Sequence, residues 1–238
     1  MSKQGGTKHV KRIAAAKAIP LTDKKASKFM LRPFPGPHPR KLSMPLGVLL
    51  RDLLKVAETA REIKKILSAK LIEVDGKART EEKFPVGLMD VISMPKAGKY
   101  FRMVVDWKGR IVPVEITKEG AGAKILKVTG KHTIPGGKLN ATFHDGRNLV
   151  VDNNIKVGDS VVVALPKASL KGHLKMHAGA RCLVREGKHA GNIVTLKEII
   201  MRKGGKPNEA LVKGEQGEFI TVAKYLFVVD DGFKMKAG

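Results

Sequence analysis

The sequence predicts an α+β chain that is mostly β. A small α/β module is expected to precede two small β-barrel-like units and to follow an extended basic N-terminal tail. Three observations predict this class. Apolar residues have helical spacing at residues 46–67. After residue 70, short apolar runs are separated by turns that contain glycine. Residues 1–42 carry many cations and few large apolar side chains.

The tail, residues 1–42, is distinguished by its charge. Eleven basic residues stand against one acid, Asp23, so the segment has a net charge of +10. Its few large apolar residues cannot bury its surface, so we expect it to be disordered alone and to order on a charged partner. Prolines at 33, 35, 37 and 39 favour a stiff, extended backbone. A solubilising tail and a proline-rich ligand for an SH3-type domain are the alternatives.

Residues 43–92 predict two short helices followed by strands. Pro45 suits the first turn of helix one. The leucines after it form an apolar stripe with helical spacing: Leu46, Leu49, Leu50, Leu53 and Leu54. Thr59 and Glu62 form a capping box that starts helix two. Asp75-Gly76 predicts a type I′ hairpin turn, and Lys77 and Arg79 follow it on one face.

Residues 93–170 and 171–230 predict two small β units, and residues 231–238 are a short tail. Lys108-Gly109 and Asp145-Gly146 each mark a turn between two strands. Pro113 lies within one of these strands, so we expect an edge or a bulge there.

The charge of the whole chain limits its possible partners. Lys and Arg number 46 against 22 Asp and Glu, a net charge of +24. Such a field attracts polyanions, and nucleic acid, anionic membrane and acidic protein are the candidates. We disfavour a membrane because the sequence has no basic amphipathic helix with bulky apolar residues, no lipidation site and no apolar run near ~18 residues. Charge that serves only solubility is the alternative. Cys182 is the single cysteine, which fits a reducing, cytoplasmic location.

An enzyme or a metal site is weakly supported. His173, His177, Cys182 and His189 lie close in sequence, but their spacing matches no common zinc finger. No GxSxG, HExxH or Walker A motif occurs, and Asp145 is explained by its turn. We therefore expect no catalysis, no metal, no cofactor and no small-molecule substrate.

Several segments resemble a known family. "LSMPLGVLLRDLLKVAETAREIKKILSAKLIEVDGKAR" is similar to a small RNA-binding module with two helices. "ARCLVREGKHAGNIVTLKEI" resembles a KOW motif, a β-turn-β unit of ribosomal proteins and transcription elongation factors. With "KHVKRIAAAK", "GLMDVISM" and "YLFVVD", their order along nearly the whole chain resembles the archaeal and eukaryotic protein four-e family of the small ribosomal subunit.

The resemblance implies a structural constituent of the small ribosomal subunit whose last unit is a KOW-containing, SH3-like barrel. It implies small-subunit ribosomal RNA and neighbouring ribosomal proteins as partners. A KOW-type translation or transcription factor, and an RNA-modifying enzyme subunit that carries the same module, are the alternatives.

Long cationic side chains on rigid surfaces suit phosphate contacts, and A-form RNA favours recognition by shape. The residues that we expect to contact RNA are Lys8, Lys11, Arg12, Lys17, Arg32, His38, Arg40, Lys41, Arg51, Arg61, Lys64, Lys65, Lys77, Arg79, Arg185, Lys188 and His189. The alternative for each is a charge that faces only solvent. Gly187 and Gly191 would let the loop backbone approach a phosphate, or would serve an ordinary turn.

Overall fold

Most of the structure is antiparallel β-sheet, as the sequence predicts. The structure is a computed structural model and describes residues 9–215, 217–230 and 232–233. Within those ranges the helices are few and short, and three five-stranded sheets form the framework.

The N-terminal segment, residues 9–42, lies against the body of the protein. β1 (Val10–Lys11) pairs with β2 (Phe29–Met30). Five apolar side chains of the segment enter the core of the next module: Val10, Ala18, Ile19, Leu21 and Met30. The expectation that the tail orders only on a charged partner is therefore wrong for residues 9–42. These apolar side chains are too few to form a core of their own. They instead complete a core that other elements build.

The helical part of the module departs in part from prediction. β3 (Ser43–Pro45) leads into α1 (Leu46–Val48), and a π-helical turn covers Leu49–Leu53. The amide of Leu54 donates to the carbonyl of Leu49, which closes this wider turn (2.9 Å). The stripe of leucines still packs on the core, but helix one is not a regular α-helix.

The second helix, α2 (Ala60–Ser68), begins as predicted. The Thr59 hydroxyl accepts a hydrogen bond from the Glu62 amide (3.3 Å), and the Glu62 carboxylate accepts one from the Thr59 amide (3.4 Å). This capping box satisfies two amides that the first turn leaves unpaired. Ile63 and Leu67 of α2 are buried.

The first five-stranded sheet is formed after α2. The strands of this region are β4 (Glu73–Val74), β5 (Lys77–Ala78), β6 (Pro85–Gly87), β7 (Val91–Met94), β8 (Lys99–Val105) and β9 (Ile111–Glu115). The sheet has the order β5-β4-β7-β8-β9, and β6 pairs with β3 instead. The hairpin at Asp75-Gly76 forms as predicted, with φ of 54° and 71°. Pro113 lies in the edge strand β9, also as predicted. The boundary expected between residues 92 and 93 instead falls inside β7, because β8 and β9 join this sheet.

The remaining two sheets follow in chain order, after the single-turn helix α3 (Lys118–Ala121). Their strands are β10 (Ala123–Thr133), β11 (Leu139–Phe143), β12 (Asn148–Val151), β13 (Ser160–Ala164), β14 (Ser169–Leu174), β15 (Arg181–Val184), β16 (Ile193–Ile200), β17 (Glu209–Gly214), β18 (Gly217–Val222) and β19 (Leu226–Val228). The central sheet has the order β12-β11-β10-β13-β14, and the C-terminal sheet has the order β18-β17-β16-β15-β19. The boundary expected at residue 170 falls inside β14.

One apolar core is shared by all three sheets. Val104 of β8, Ile125 of β10, Leu183 of β15 and Phe227 of β19 are buried in the same cluster. Burial of this kind stabilises one arrangement of the units by roughly 1.5–3 kcal/mol per large apolar side chain.

A buried ionic cluster lies where the first and central sheets meet. The ammonium of Lys124 in β10 is 2.7 Å from Asp75, 2.6 Å from Asp90 and 3.2 Å from Asp145. Arg147 adds contacts of 2.5 Å to Asp75 and 3.1 Å to Asp145. Burial alone would lower the pKa of Lys124, but the charges of the three carboxylates together outweigh it and raise that pKa above its ordinary value. These ion pairs connect turns and strands that lie far apart in the sequence.

The two carboxylates from the first module respond differently to this environment. Burial, with the nearby charge of Asp90, raises the pKa of Asp75. Burial would also raise the pKa of Asp90, but the charges of His38 and Lys124 outweigh it and hold that pKa well below its ordinary value.

His144 lies between the central sheet and its neighbours. Its Nδ1 accepts a hydrogen bond from the Lys127 amide (3.2 Å). The ring proton of the neutral imidazole is therefore on Nε2, which donates to the carbonyl oxygen of Leu88 (3.2 Å). The ring packs edge-on against Phe227, with centroids 5.2 Å apart. Burial, assisted by the charge of Lys124, lowers the pKa of His144 to about 3. The neutral imidazole satisfies both partners, whereas a protonated one would set an N–H against the Lys127 amide.

Candidate nucleic-acid interface

Helix α2 presents three exposed cations. Arg61, Lys64 and Lys65 point away from the core that Ile63 and Leu67 enter. Lys64 lies 3.8 Å from Glu82, an ion pair that solvent screens strongly because the lysine is exposed. The amphipathic sequence of α2 thus places predicted residues on one accessible face.

The folded N-terminal segment brings cations from distant parts of the chain together. Lys17 and Lys41 line a cleft of about 230 Å³ with Arg185 of the C-terminal unit. Lys17 also lines a second cleft, of about 340 Å³, with Lys24 and with Lys108 and Arg110 of the β8–β9 turn. Glu186 lines the first cleft and pairs with Arg185 at 2.5 Å, which partly neutralises that cation. The tail therefore contributes to a composite basic surface.

A third group of cations surrounds the proline-rich segment. Arg32 and Arg40 line a groove of about 750 Å³ together with Lys83 and the exposed ring of Phe34. The Lys83 ammonium lies 5.1 Å from the centroid of that ring. We call this the Phe34 groove.

The hairpin residues Lys77 and Arg79 differ in exposure. Lys77 is exposed on the edge strand β5. Arg79 is half-buried, with its guanidinium 4.3 Å from the centroid of the Phe84 ring. Arg79 therefore packs against the protein in a cation–π contact, whereas Lys77 is accessible to a partner.

Two predicted contact residues are buried and correct the sequence-based expectation. Arg12 is 6% exposed and pairs with Asp52 at 2.9 Å, and its Nε donates to the carbonyl oxygen of Asp23. His38 is 6% exposed and lies 2.9 Å from Asp90. Both side chains hold the N-terminal segment to the body, so the assignment of both as RNA contacts is wrong.

Arg51 is half-buried and bound to Asp52, 2.8 Å away. Burial would raise the pKa of Asp52, but hydrogen bonds from Arg51 and Arg12 lower it. Much of the Arg51 charge is therefore neutralised within the protein. Lys11 is exposed on β1, and Lys8 lies outside the described residues.

The loop between β15 and β16 combines an exposed cation with packed side chains. Lys188 is exposed, whereas the His189 ring stacks on Phe219, with centroids 3.9 Å apart. Gly191 has φ of 82°, and a Cβ there would lie 2.5 Å from the backbone carbon of Asp106. Gly191 therefore serves close packing against the β8–β9 turn, and its backbone is not open to a phosphate.

Some basic residues that line the second cleft and the Phe34 groove were missed because their sequence context hides them. Lys83 follows Glu81 and Glu82, so no local excess of positive charge marks it. Lys108 and Arg110 flank a turn glycine and suit any hairpin. Only the folded chain brings them beside the basic tail.

Other kinds of site have little support in the structure. Across the described ranges, His, Cys, Asp and Glu side chains form no group of three that could hold a metal ion. His173 instead contacts Asp159 (2.8 Å), and burial raises the pKa of the Cys182 thiol to about 12. In the part of the chain that the structure describes, no helix has the length and apolar character to span a bilayer.

Comparison with known proteins identifies the family. A model described as ribosomal family S4e matches residues 97–170. Small ribosomal subunit protein eS4 of Methanosphaera stadtmanae is 39% identical over 229 residues, which cover 96% of this chain and 95% of the relative. The corresponding protein of Archaeoglobus fulgidus is 40% identical over 221 residues, with coverage of 93% and 92%.

A solved structure extends this similarity to the fold. The crystal structure of the 30S ribosomal protein S4e from Thermoplasma acidophilum matches with a TM-score of 0.69 and 34% identity, covering 80% of this chain and 96% of that chain. Sequence similarity over almost the full length and agreement in fold lead to one conclusion: the chain belongs to the ribosomal S4e family.

Proposed function

We propose that this protein is a structural constituent of the small ribosomal subunit and stabilises folded ribosomal RNA by neutralising phosphate charge. Membership of the S4e family over nearly the whole chain is the observation that carries the proposal. Its relatives are named small ribosomal subunit proteins. The protein acts without catalysis, on the ribosome in the cytoplasm, beside other ribosomal proteins.

Three basic surfaces are the proposed RNA contacts: the exposed face of α2, the clefts around Lys17, and the Phe34 groove. Each surface groups basic side chains on segments of backbone that the core holds in place. Such a fixed arrangement of charges suits recognition of a fixed RNA shape. Among the sequence-predicted residues, those that remain proposed contacts by exposure or by position on these surfaces are Lys11, Lys17, Arg32, Arg40, Lys41, Arg61, Lys64, Lys65, Lys77, Arg185 and Lys188.

We also propose that the C-terminal sheet is an SH3-like barrel with a KOW motif. The antiparallel pair β15–β16 and its glycine-containing loop support this assignment. Lys188, which is exposed at this loop, is its proposed phosphate contact.

The salt dependence of RNA binding tests the electrostatic mechanism. If about 6–10 phosphates are engaged, affinity for small-subunit ribosomal RNA should fall roughly 10³–10⁵-fold between about 50 and about 200 mM salt, on the scale established for DNA. Filter binding measures this dependence. An affinity independent of salt would contradict the mechanism.

Single substitutions locate the contacts. Lys41→Gln and Lys65→Gln should each lower the slope of log affinity against log salt by about 1, because each removes one phosphate contact. Lys197→Gln is the matched control, since the Lys197 ammonium is already paired with Glu218. Equal slopes for all three variants would refute the assigned surfaces.

Loss of the protein from small subunits in a moderate salt wash would favour a transient factor.

A further inference from the structure

The Phe34 groove has a property that charge neutralisation does not require. Phe34 is 49% exposed and lies outside the apolar core, although exposing a large ring to water is unfavourable. The groove volume, about 750 Å³, is within the range of small-molecule sites. An accessible aromatic face in such a groove suggests a planar ligand.

The backbone around this ring is held on both sides. The Phe34 amide donates to the carbonyl oxygen of Lys83 (2.9 Å), and Pro33 before it is buried. A Cβ at Gly36 would lie 2.7 Å from the ring carbon Cγ of Pro85, so the chain packs tightly on β6. The ring is therefore presented by a preorganised segment, and binding to it would cost little ordering entropy.

The charge around the ring selects the class of ligand. Arg32, Arg40 and Lys83 line the groove, and the described lining includes no carboxylate. An anion whose planar group stacks on Phe34 would place its charge within reach of these cations. A nucleotide has both parts, and stacking on aromatic side chains accepts any base because every base has a π-face.

We propose that the Phe34 groove binds an unpaired RNA nucleotide, with the base stacked on Phe34 and the phosphate beside Arg40 and Lys83. The inference rests on the proposed RNA binding and specifies one of its contacts. Bases inside an A-form duplex are stacked on one another and cannot reach the ring, so a bulged or single-stranded nucleotide is required.

The test compares two RNAs and three proteins. One RNA is a short perfect duplex, and the other is the same duplex with one bulged fluorescent adenine analogue. The proteins are the full chain, Phe34→Leu and Phe34→Tyr. Leucine keeps an apolar side chain without a π-face, whereas tyrosine keeps the π-face, so the two variants separate stacking from burial.

We expect the full chain to quench the analogue and to bind the bulged RNA more tightly than the duplex. Phe34→Leu should lose about ten-fold in affinity for the bulged RNA, equivalent to about 1.4 kcal/mol, and should lose the quenching. Its affinity for the perfect duplex should be unchanged. Phe34→Tyr should retain both the affinity and the quenching.

Three outcomes would overturn the inference. Equal binding of both RNAs by the full chain and by Phe34→Leu, without quenching, would refute the stacking site and leave the proposed function intact. Failure of the full chain to bind either RNA at low salt would refute both the stacking site and the proposed function. If Phe34→Leu binds RNA normally but is lost from reconstituted subunits, the groove holds a protein segment instead.

Discussion

Replacing Lys124 by methionine should strongly destabilise the protein. The Lys124 ammonium contacts three aspartates, from the β4–β5 turn, the residue before β7 and the β11–β12 turn, at 2.6–3.2 Å. Methionine keeps a long flexible side chain but removes the charge. Three buried carboxylates would then share Arg147 and His38, and neither of these contacts all three.

The size of the effect follows from the burial of the cluster. The Lys124 side chain is 1% exposed, so solvent screens little of the interaction. Removing one partner from a buried ion pair costs about 3–5 kcal/mol, because the remaining charges stay buried without compensation. A domain has only about 5–15 kcal/mol of total stability. At roughly 2–4 °C per kcal/mol for a chain of this size, Tm should fall by about 6–20 °C.

Urea unfolding followed by far-UV circular dichroism measures the effect. The matched control is Lys138→Met, which removes the same charge from an exposed position and should change stability by no more than about 0.5 kcal/mol. Adding Asp75→Asn to Lys124→Met should restore part of the loss, because it removes one of the three carboxylates that would share the remaining cations. If Lys124→Met is as stable as the control, the cluster does not hold the units together.

Two further predictions concern pH and packing. The unfolded state binds a proton at His144 below about pH 6.5 and the folded state only below about pH 3, so acid should lower the unfolding free energy between these values by approximately 1.4 kcal/mol per pH unit. His144→Asn should reduce that slope in urea titrations at several pH values, and parallel curves would contradict the assignment. Gly191→Ala should lower Tm more than Gly187→Ala, although both glycines have positive φ, because only the Cβ at 191 meets backbone, whereas the nearest atom to a Cβ at 187 is 3.8 Å away. Equal Tm values, measured by thermal denaturation, would refute the packing role of Gly191.

The features predicted correctly are those with local causes. The capping box of α2 depends on residues three positions apart, and the hairpin at Asp75-Gly76 depends on two adjacent residues that accept positive φ. The edge position of Pro113 follows from its missing N–H. Each of these signals lies within one turn or one strand.

The features that were wrong or missed depend on distant partners. His38 looks like one more basic residue of the tail, yet its partner Asp90 is 52 positions away. Arg12 is bound by Asp52, 40 positions away. The β8–β9 hairpin can pair with strands before it or after it, and the alternation of its side chains does not distinguish the two. Pairing between residues far apart in the sequence therefore accounts for all three differences from prediction.

The sequence by itself determined that this protein carries a large excess of positive charge, is mostly β-structure and resembles the ribosomal S4e family. Net charge is a sum over residues and local structure depends on near neighbours, so both can be read along the chain. Only the tertiary structure decided which cations are accessible and which are bound inside. The exposure of a side chain depends on partners that folding brings from elsewhere in the chain. Folding brings Lys83 beside Phe34 and buries His38 against Asp90.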